Sequence, residues 1–178
     1  MSGDWQQSPS FTRLPDSPEF KAVYDGQCNC RRIKFKVGCQ KPLDAKFCHC
    51  LTCQSLHGAP FQWAAIVHKT DVFFTNGAEG IHWYQSRTKQ EGHILPSKAS
   101  CSYCHSPILD DGRNMVMLFP TLIHFPNAEE QKEWNPTCHI FYTQRAYDIV
   151  DGKPKWSAHK NGDDSELLDN YGNPIANK

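Results

Sequence analysis

Short runs in which apolar and polar residues alternate dominate the chain, and they predict strands. In Arg32-Ile33-Lys34-Phe35-Lys36-Val37 every second residue is apolar and the others are basic, the pattern of a strand with one face on a core and one in water. Further short runs rich in aromatic or β-branched residues lie at 61–67 (FQWAAIV), 72–75 (VFFT), 81–84 (IHWY), 115–119 (MVMLF) and 139–143 (HIFYT). Glycine or proline punctuates most of them. Helical signals are confined to a turn or two from Cys50 through Leu56 and to 127–134, where Asn127 stands at the N-cap with Glu130 three residues on. The expected fold class is all-β, β-rich with one or two short helices, in a single domain. Trp63, Trp83, Phe73 and Phe74 are read as core. No period repeats, which excludes solenoids and propellers. The ends, 1–19 and 151–178, are polar and rich in Pro, Gly, Asp and Asn, and are expected to wrap or fray.

Composition narrows the function classes. The chain has 178 residues, 39% of them apolar and 12% aromatic, enough for one ordinary core. Lys plus Arg equals Asp plus Glu at 19 each, so no net basic field draws nucleic acid or anionic lipid, and neither is an expected partner. The first twenty residues lack the apolar stretch of a secretion signal, and no run has the length of a membrane span. The expectation is a soluble, cytoplasmic protein. In that reducing compartment clustered cysteines read as metal ligands; a secreted disulfide framework is the competing reading.

Seven of the nine cysteines fall into three tight groups: Cys28-x-Cys30, Cys48-x-Cys50-x-x-Cys53 and Cys101-x-x-Cys104. Thiolates at this spacing suit tetrahedral zinc, with bonds of about 2.3 Å. A structural zinc site takes four protein ligands, whereas a site that does chemistry commonly keeps three and leaves one position for water or substrate. Seven is four plus three, so two zinc ions per chain are expected. Joining Cys28 and Cys30 to Cys101 and Cys104 would close most of the chain into one loop, a structural staple. The compact middle group, Cys48, Cys50 and Cys53, needs no distant partner and can line a pocket. Three thiolates make zinc a poor acid for ionising water but leave it suited to an incoming thiol, whose sulfur becomes nucleophilic at neutral pH.

Taken in order, Cys-x-Cys, then Phe47-Cys48-His49-Cys50-x-x-Cys53 leading into Gly58-Ala59-Pro60-Phe61, then Cys101-x-x-Cys104, then Cys138-His139-Ile140-Phe141 with Arg145 downstream, the pattern resembles two related groups. These are the glutathione-dependent formaldehyde-activating enzymes and the centromere protein V-like domains. The resemblance spans about residues 24–156. It implies a zinc-pinned β-tent fold, with a structural zinc on Cys28, Cys30, Cys101 and Cys104 and a second, catalytic zinc on Cys48, Cys50 and Cys53. It also implies a domain over 20–156 between a polar N-terminal extension, 1–19, and a polar tail, 157–178. The implied activity is a carbon–sulfur lyase reaction run in reverse, joining glutathione to formaldehyde as S-hydroxymethylglutathione. Where many relatives carry glycine after the second cysteine of each structural pair, this chain has Arg31 and His105, which puts the turn geometry there in question.

Other readings stand beside this one. His49 or His93 could close the middle site into a second inert staple, and His49 is also a candidate for proton transfer, though it sits between two ligands and its ring is expected to face away from their metal. Cys39 and Cys138, without cluster partners, read as small buried hydrophobes. The two carboxylates of glutathione would need cations, and Lys69, Arg87, Lys89, Lys98 and Arg145 are the candidates near the motifs. Alternatives for the whole chain are a tailoring enzyme acting on a bulkier electrophile, a non-enzymatic zinc module that binds a protein or chromatin, and a thiol-based redox sensor.

Overall fold

Alternating sequence becomes strand with the expected face buried: in Lys34–Val37, Phe35 and Val37 are buried and Lys34 is exposed. The computed structural model describes residues 6–10 and 20–175. In chain order its strands are β1 (Tyr24–Gln27), β2 (Lys34–Val37), β3 (Asp44–Cys48), β4 (Gln62–His68), β5 (Val72–Phe74), β6 (Ile81–Gln85) and β7 (Gln90–Glu91). They continue with β8 (Ser97–Cys101), β9 (Pro107–Asp111), β10 (Met115–Leu118), β11 (Ile123–His124), β12 (Cys138–Ile140), β13 (Lys155–Trp156) and β14 (Leu167–Leu168). The α-helices among the described residues are α1 (Leu51–His57) and α2 (Ala128–Lys132). The expected class, β-rich with one or two short helices, is what the described residues have. Among the described residues no helix is long and apolar enough to cross a membrane.

The chain divides into two compact units that interleave along the sequence, so no single cut separates them. The first takes the described residues up to Leu43 together with Ala65–Trp134. It holds a four-stranded sheet in the order β11-β1-β2-β5, and an antiparallel run in which β10 pairs with both β4 and β9, and β8 with both β9 and β6. Phe35 on β2 lies against Gly26 of β1, where any side chain would run into its ring, and meets Phe74 edge-on at 6.1 Å. Ile108, Leu109, Val116, Leu118 and Trp134 are each 0% exposed; burying a side chain of this size contributes about 1.5–3 kcal/mol.

The second unit takes Asp44–Ala64 and the described residues from Asn135 onward. Its strands run β14-β13-β12-β3, with β12 parallel to both β3 and β13. The polar stretch expected to wrap or fray therefore supplies β13 and β14. The parallel register places His139 opposite Phe47 and Ile140 opposite Cys48, which brings the middle cysteine group and the Cys138–Phe141 motif together.

Three sequence expectations need correction. The run 139–143 stops being strand after Ile140, because Phe141 takes a φ of 54° and Tyr142–Gln144 form a single 3-10 turn. Trp63 and Trp83 are half-buried, and among the described residues the fully buried tryptophan is Trp134, just beyond α2, whose ring N–H donates to the Gln40 carbonyl at 3.1 Å. The strands β3, β8 and β9 lie in stretches that gave no periodic apolar signal: β8 buries Ser97, Ala99 and Cys101, and β9 buries Ile108, Leu109, Asp110 and Asp111 in succession.

Candidate metal centre

Two groups of cysteines bring their sulfurs together, and they are the two that the spacing predicts. In the first unit, Cys28, Cys30, Cys101 and Cys104 have ligand atoms within 4.8 Å of one another. The sulfurs of Cys28 and Cys30 are 3.5 Å apart, and those of Cys30 and Cys101 3.7 Å. Two thiolates on one tetrahedral zinc, with bonds of about 2.3 Å, stand about 3.8 Å apart, so the set is spaced for zinc and too far apart for disulfides.

Each pair is held by a tight turn. Arg31 N–H donates to the Cys28 carbonyl at 2.9 Å and His105 N–H to the Cys101 carbonyl at 2.8 Å, while Ile33 N–H points at the Cys28 sulfur at 3.3 Å. Such N–H groups offset thiolate charge. The turns are closed in the left-handed region, with φ of 66° at Arg31 and 59° at His105. The geometry that glycine would ease is present without glycine, at a conformational cost of about 1 kcal/mol per residue. Ser106 links the turns, its hydroxyl 3.3 Å from both Asn29 N and the Cys104 sulfur. Burial works against the Cys104 thiolate, but the hydroxyl and N–H of Ser106 hold that thiol down at about 5. His105 is no member of this ligand set.

The second group lies wholly in the second unit. Cys48 ends β3, Cys50 caps α1, and Cys53 sits in the first turn of that helix. Their sulfurs lie within 4.8 Å of one another, with Cys48 and Cys53 3.6 Å apart. Cys53 N–H points at the Cys50 sulfur at 3.4 Å. Gly58, with a φ of 57°, closes the helix with its N–H on the Gln54 carbonyl, the left-handed cap that glycine accepts without strain. Crowding among the thiols resists ionisation: contact with Cys50, then burial, pushes Cys48 up to about 11, and contacts with Cys48 and Cys50 raise Cys53 further. A dication fits such a set by reversing the balance, since a coordinating thiol is deprotonated outright. Among the described residues no histidine or carboxylate joins either group of ligand atoms.

His49, between two of these cysteines, turns its ring away into a buried polar chain. His49 Nε2 is 2.8 Å from His139 Nδ1, His139 Nε2 is 3.0 Å from Asp151 Oδ2, and Asp151 Oδ1 accepts from Lys155 Nζ at 3.0 Å. His49, His139 and Lys155 are 1%, 0% and 1% exposed, so the chain is sealed from water along most of its length. Burial, then His139, pushes His49 down to about 4, and burial lowers His139 as well; both rings are neutral at pH 7. The carboxylate dictates which nitrogens carry protons. His139 donates from Nε2 to Asp151, its Nδ1 therefore accepts from His49 Nε2–H, and His49 Nδ1 is left as an acceptor.

The backbone of His49 is clamped too. Its N–H donates to the Ile140 carbonyl at 3.0 Å, and Gln54 Nε2 donates to its carbonyl at 2.6 Å. Leu51 N–H is received by Gln144 Oε1 at 2.9 Å. Cys48 and Cys50 are thus carried on a residue held at ring and backbone alike. His139, Asp151 and Lys155 were not among the site residues expected from sequence. His139 lay inside the Cys138–Phe141 motif, which was the one available signal.

The remaining candidates sort plainly. His93 Nε2 pairs with Asp111 Oδ2 at 2.6 Å. Lys69, 1% exposed, pairs with Asp111 Oδ1 at 3.0 Å and is spent inside the first unit. Lys98 pairs with Asp110 at 2.7 Å, and Arg87 and Lys89 are exposed near β7. Arg145 alone among the five candidate cations lies in the second unit. Its guanidinium stands 4.8 Å over the Tyr142 ring, which in turn meets His49 edge-on at 5.2 Å. Cys138 is 1% exposed and Cys39 half-buried. Burial raises both thiols, Cys39 to about 12.

The family model of the glutathione-dependent formaldehyde-activating enzymes matches residues 23–144, a span that includes all seven clustered cysteines. The chain belongs to this family. A Halomonas elongata protein that bears the family's name is 25% identical over 137 residues, covering 75% of this chain and 79% of that protein. The crystal structure of a Rhodobacter sphaeroides protein, a structural-genomics target, aligns with 21% identity and a TM-score of 0.45 over 60% of this chain and 93% of that one.

Proposed function

We propose that this member of the family is a zinc enzyme that joins the thiol of glutathione to formaldehyde or another small electrophile, a carbon–sulfur lyase reaction in the direction of synthesis. Cys48, Cys50 and Cys53 would hold the working zinc, and Cys28, Cys30, Cys101 and Cys104 a second, structural one. The observation that carries the reading is the difference in ligand number: four sulfurs converge in one group and three in the other, and three is the number that leaves a position for substrate. Bound there, zinc supplies a Lewis acid that keeps an incoming thiol as its thiolate at neutral pH.

The overall change is an addition. A carbon–sulfur bond forms, the carbon–oxygen double bond becomes single, and the proton that leaves the thiol ends on the new hydroxyl. The chain's own residues hold and orient. The clamp on His49 fixes the separation of Cys48 and Cys50, and the His139–Asp151 pair keeps its ring in one tautomer. Arg145 is the candidate cation in the same unit; its guanidinium pairs with Asp148 at 2.6 Å and donates to the Tyr171 carbonyl at 2.6 Å, so a substrate carboxylate would have to take the place of Asp148.

Exchange NMR of the zinc-loaded protein with glutathione and formaldehyde tests the proposal, because adduct and free thiol also interconvert without enzyme. Acceleration that disappears in Cys53→Ser is expected. Acceleration that survives in Cys53→Ser would remove the middle site from the reaction; none in the wild type would point to a different electrophile.

A further inference from the structure

Away from the three-cysteine group, the first unit carries a second concave feature that the proposed reaction does not use. Arg31, Arg32, Lys34, Asn76, Glu79 and Tyr103 line a cleft of about 460 Å³, within the range of small-ligand sites, roughly 300–1,000 Å³. Three cations against one carboxylate leave the lining at a formal +2, in a chain whose formal net charge is zero. Among the described residues none of the three cations has an ion-pair partner. That concentration of unpaired charge is not inherited from a generally basic surface.

The cleft is built. Arg32 lays its guanidinium 4.5 Å over the Tyr103 ring, which fixes the plane of the group and leaves its N–H edge for an anion. Tyr103 rests on Gly80, where any side chain would overlap the ring. Asn76 Nδ2 donates to the Arg32 carbonyl at 3.4 Å, and Thr75 N–H to the Lys34 carbonyl at 3.0 Å. Arg31 stands in the turn that follows Cys30, with a φ of 66° that the knuckle sets as it does at His105, and what it brings to the cleft is its charge.

We infer that the cleft binds the phosphate monoester of a small metabolite. Two guanidinium groups and an ammonium match a dianionic phosphoryl group by charge and by two-point geometry. The volume leaves room for the organic part of the ester.

The test is calorimetric titration of the full zinc-loaded chain at low salt with inorganic phosphate, adenosine monophosphate and glucose 6-phosphate. Binding of the esters, competed by inorganic phosphate and weakened by added salt, is expected. Equal affinity for the two esters would mean that the phosphoryl group alone is read, and preference for one would identify the source as nucleoside or sugar. Arg31→Gly should weaken binding about tenfold or more, as loss of a charge-assisted contact does, with an unchanged or raised melting temperature because the turn relaxes. Glu79→Gln should tighten it. Absence of ester binding, or binding untouched in Arg31→Gly and Arg32→Ala together, overturns the inference. So does tighter binding of a DNA oligonucleotide that both substitutions abolish, since the cleft would then be part of a polynucleotide surface. These readouts do not depend on the thiol chemistry, so either proposal can fail without the other.

Discussion

Removing the Asp151 carboxylate should destabilise the second unit by an amount its burial allows one to work out. Lys155 is 1% exposed, and its ammonium is met by Asp151 Oδ1 at 3.0 Å and the Lys153 carbonyl at 2.9 Å. Asp151→Ala leaves that charge facing one carbonyl and takes the acceptor from His139. Breaking a fully buried pair in this way costs about 3–5 kcal/mol. The Asp151 side chain is 25% exposed, so water can enter the gap, and the expected loss is about 2–3 kcal/mol. In a chain of this size that is about 5–10 °C in melting temperature. The assay is urea unfolding of the zinc-loaded protein at pH 7, followed by tryptophan fluorescence, for Asp151→Ala, Lys155→Met and the double variant. Lys155→Met removes the stranded charge at similar volume, so the double variant should recover more than about 1 kcal/mol relative to the sum of the single losses. A loss in Asp151→Ala under about 0.5 kcal/mol, or losses that add within that margin, would refute the reasoning.

Cys53→Ser and Cys48→Ser should each lower bound zinc from two ions per chain to one while the circular dichroism spectrum stays native, because the other cluster lies in a different unit; elemental analysis reads the stoichiometry. Cys101→Ser, at a fully buried thiol of the proposed four-sulfur site, should instead cost zinc and fold together, since structural zinc sites contribute folding free energy outright. Imidazole NMR should place the His49 midpoint near 4, against an ordinary value of about 6.5. Because the unfolded chain takes up that proton first as pH falls, His49 contributes stability above about pH 6.5 that declines toward pH 4; a midpoint above 6 would contradict its burial.

The two cysteine groups were legible because such spacing is local: two or three thiols within six residues declare themselves without any tertiary information. Strands with one wet face, such as β2, were legible for the same reason. The polar chain behind His49 was not. His49 and His139 are 90 residues apart, and nothing in a lone histidine or lysine shows that another segment will bury it. Lys155, between Pro154 and Trp156, reads as a surface residue until β13 pairs beside β12. Lys69 failed in the opposite sense, as a cation offered to substrate that proves to be neutralised inside by Asp111. Strands β8 and β9 escaped notice because β8 fills its buried positions with Ser97, Ala99 and Cys101, and β9 buries Ile108, Leu109, Asp110 and Asp111 in succession, so neither shows apolar alternation. The knuckles show the reverse: Arg31 and His105 look unsuitable for tight turns, yet two hydrogen bonds and four converging sulfurs outweigh a local preference of about 1 kcal/mol each.

The central claim, that three cysteines hold a metal able to take a fourth sulfur from substrate, is tested most directly by cadmium NMR. Protein loaded with two ¹¹³Cd ions should give two resonances, one for each sulfur set. Adding glutathione should move the resonance that is absent from Cys53→Ser toward the position of the four-sulfur site and leave the other unchanged. A middle-site resonance that is already at the four-sulfur position, or that ignores saturating glutathione, would contradict the account.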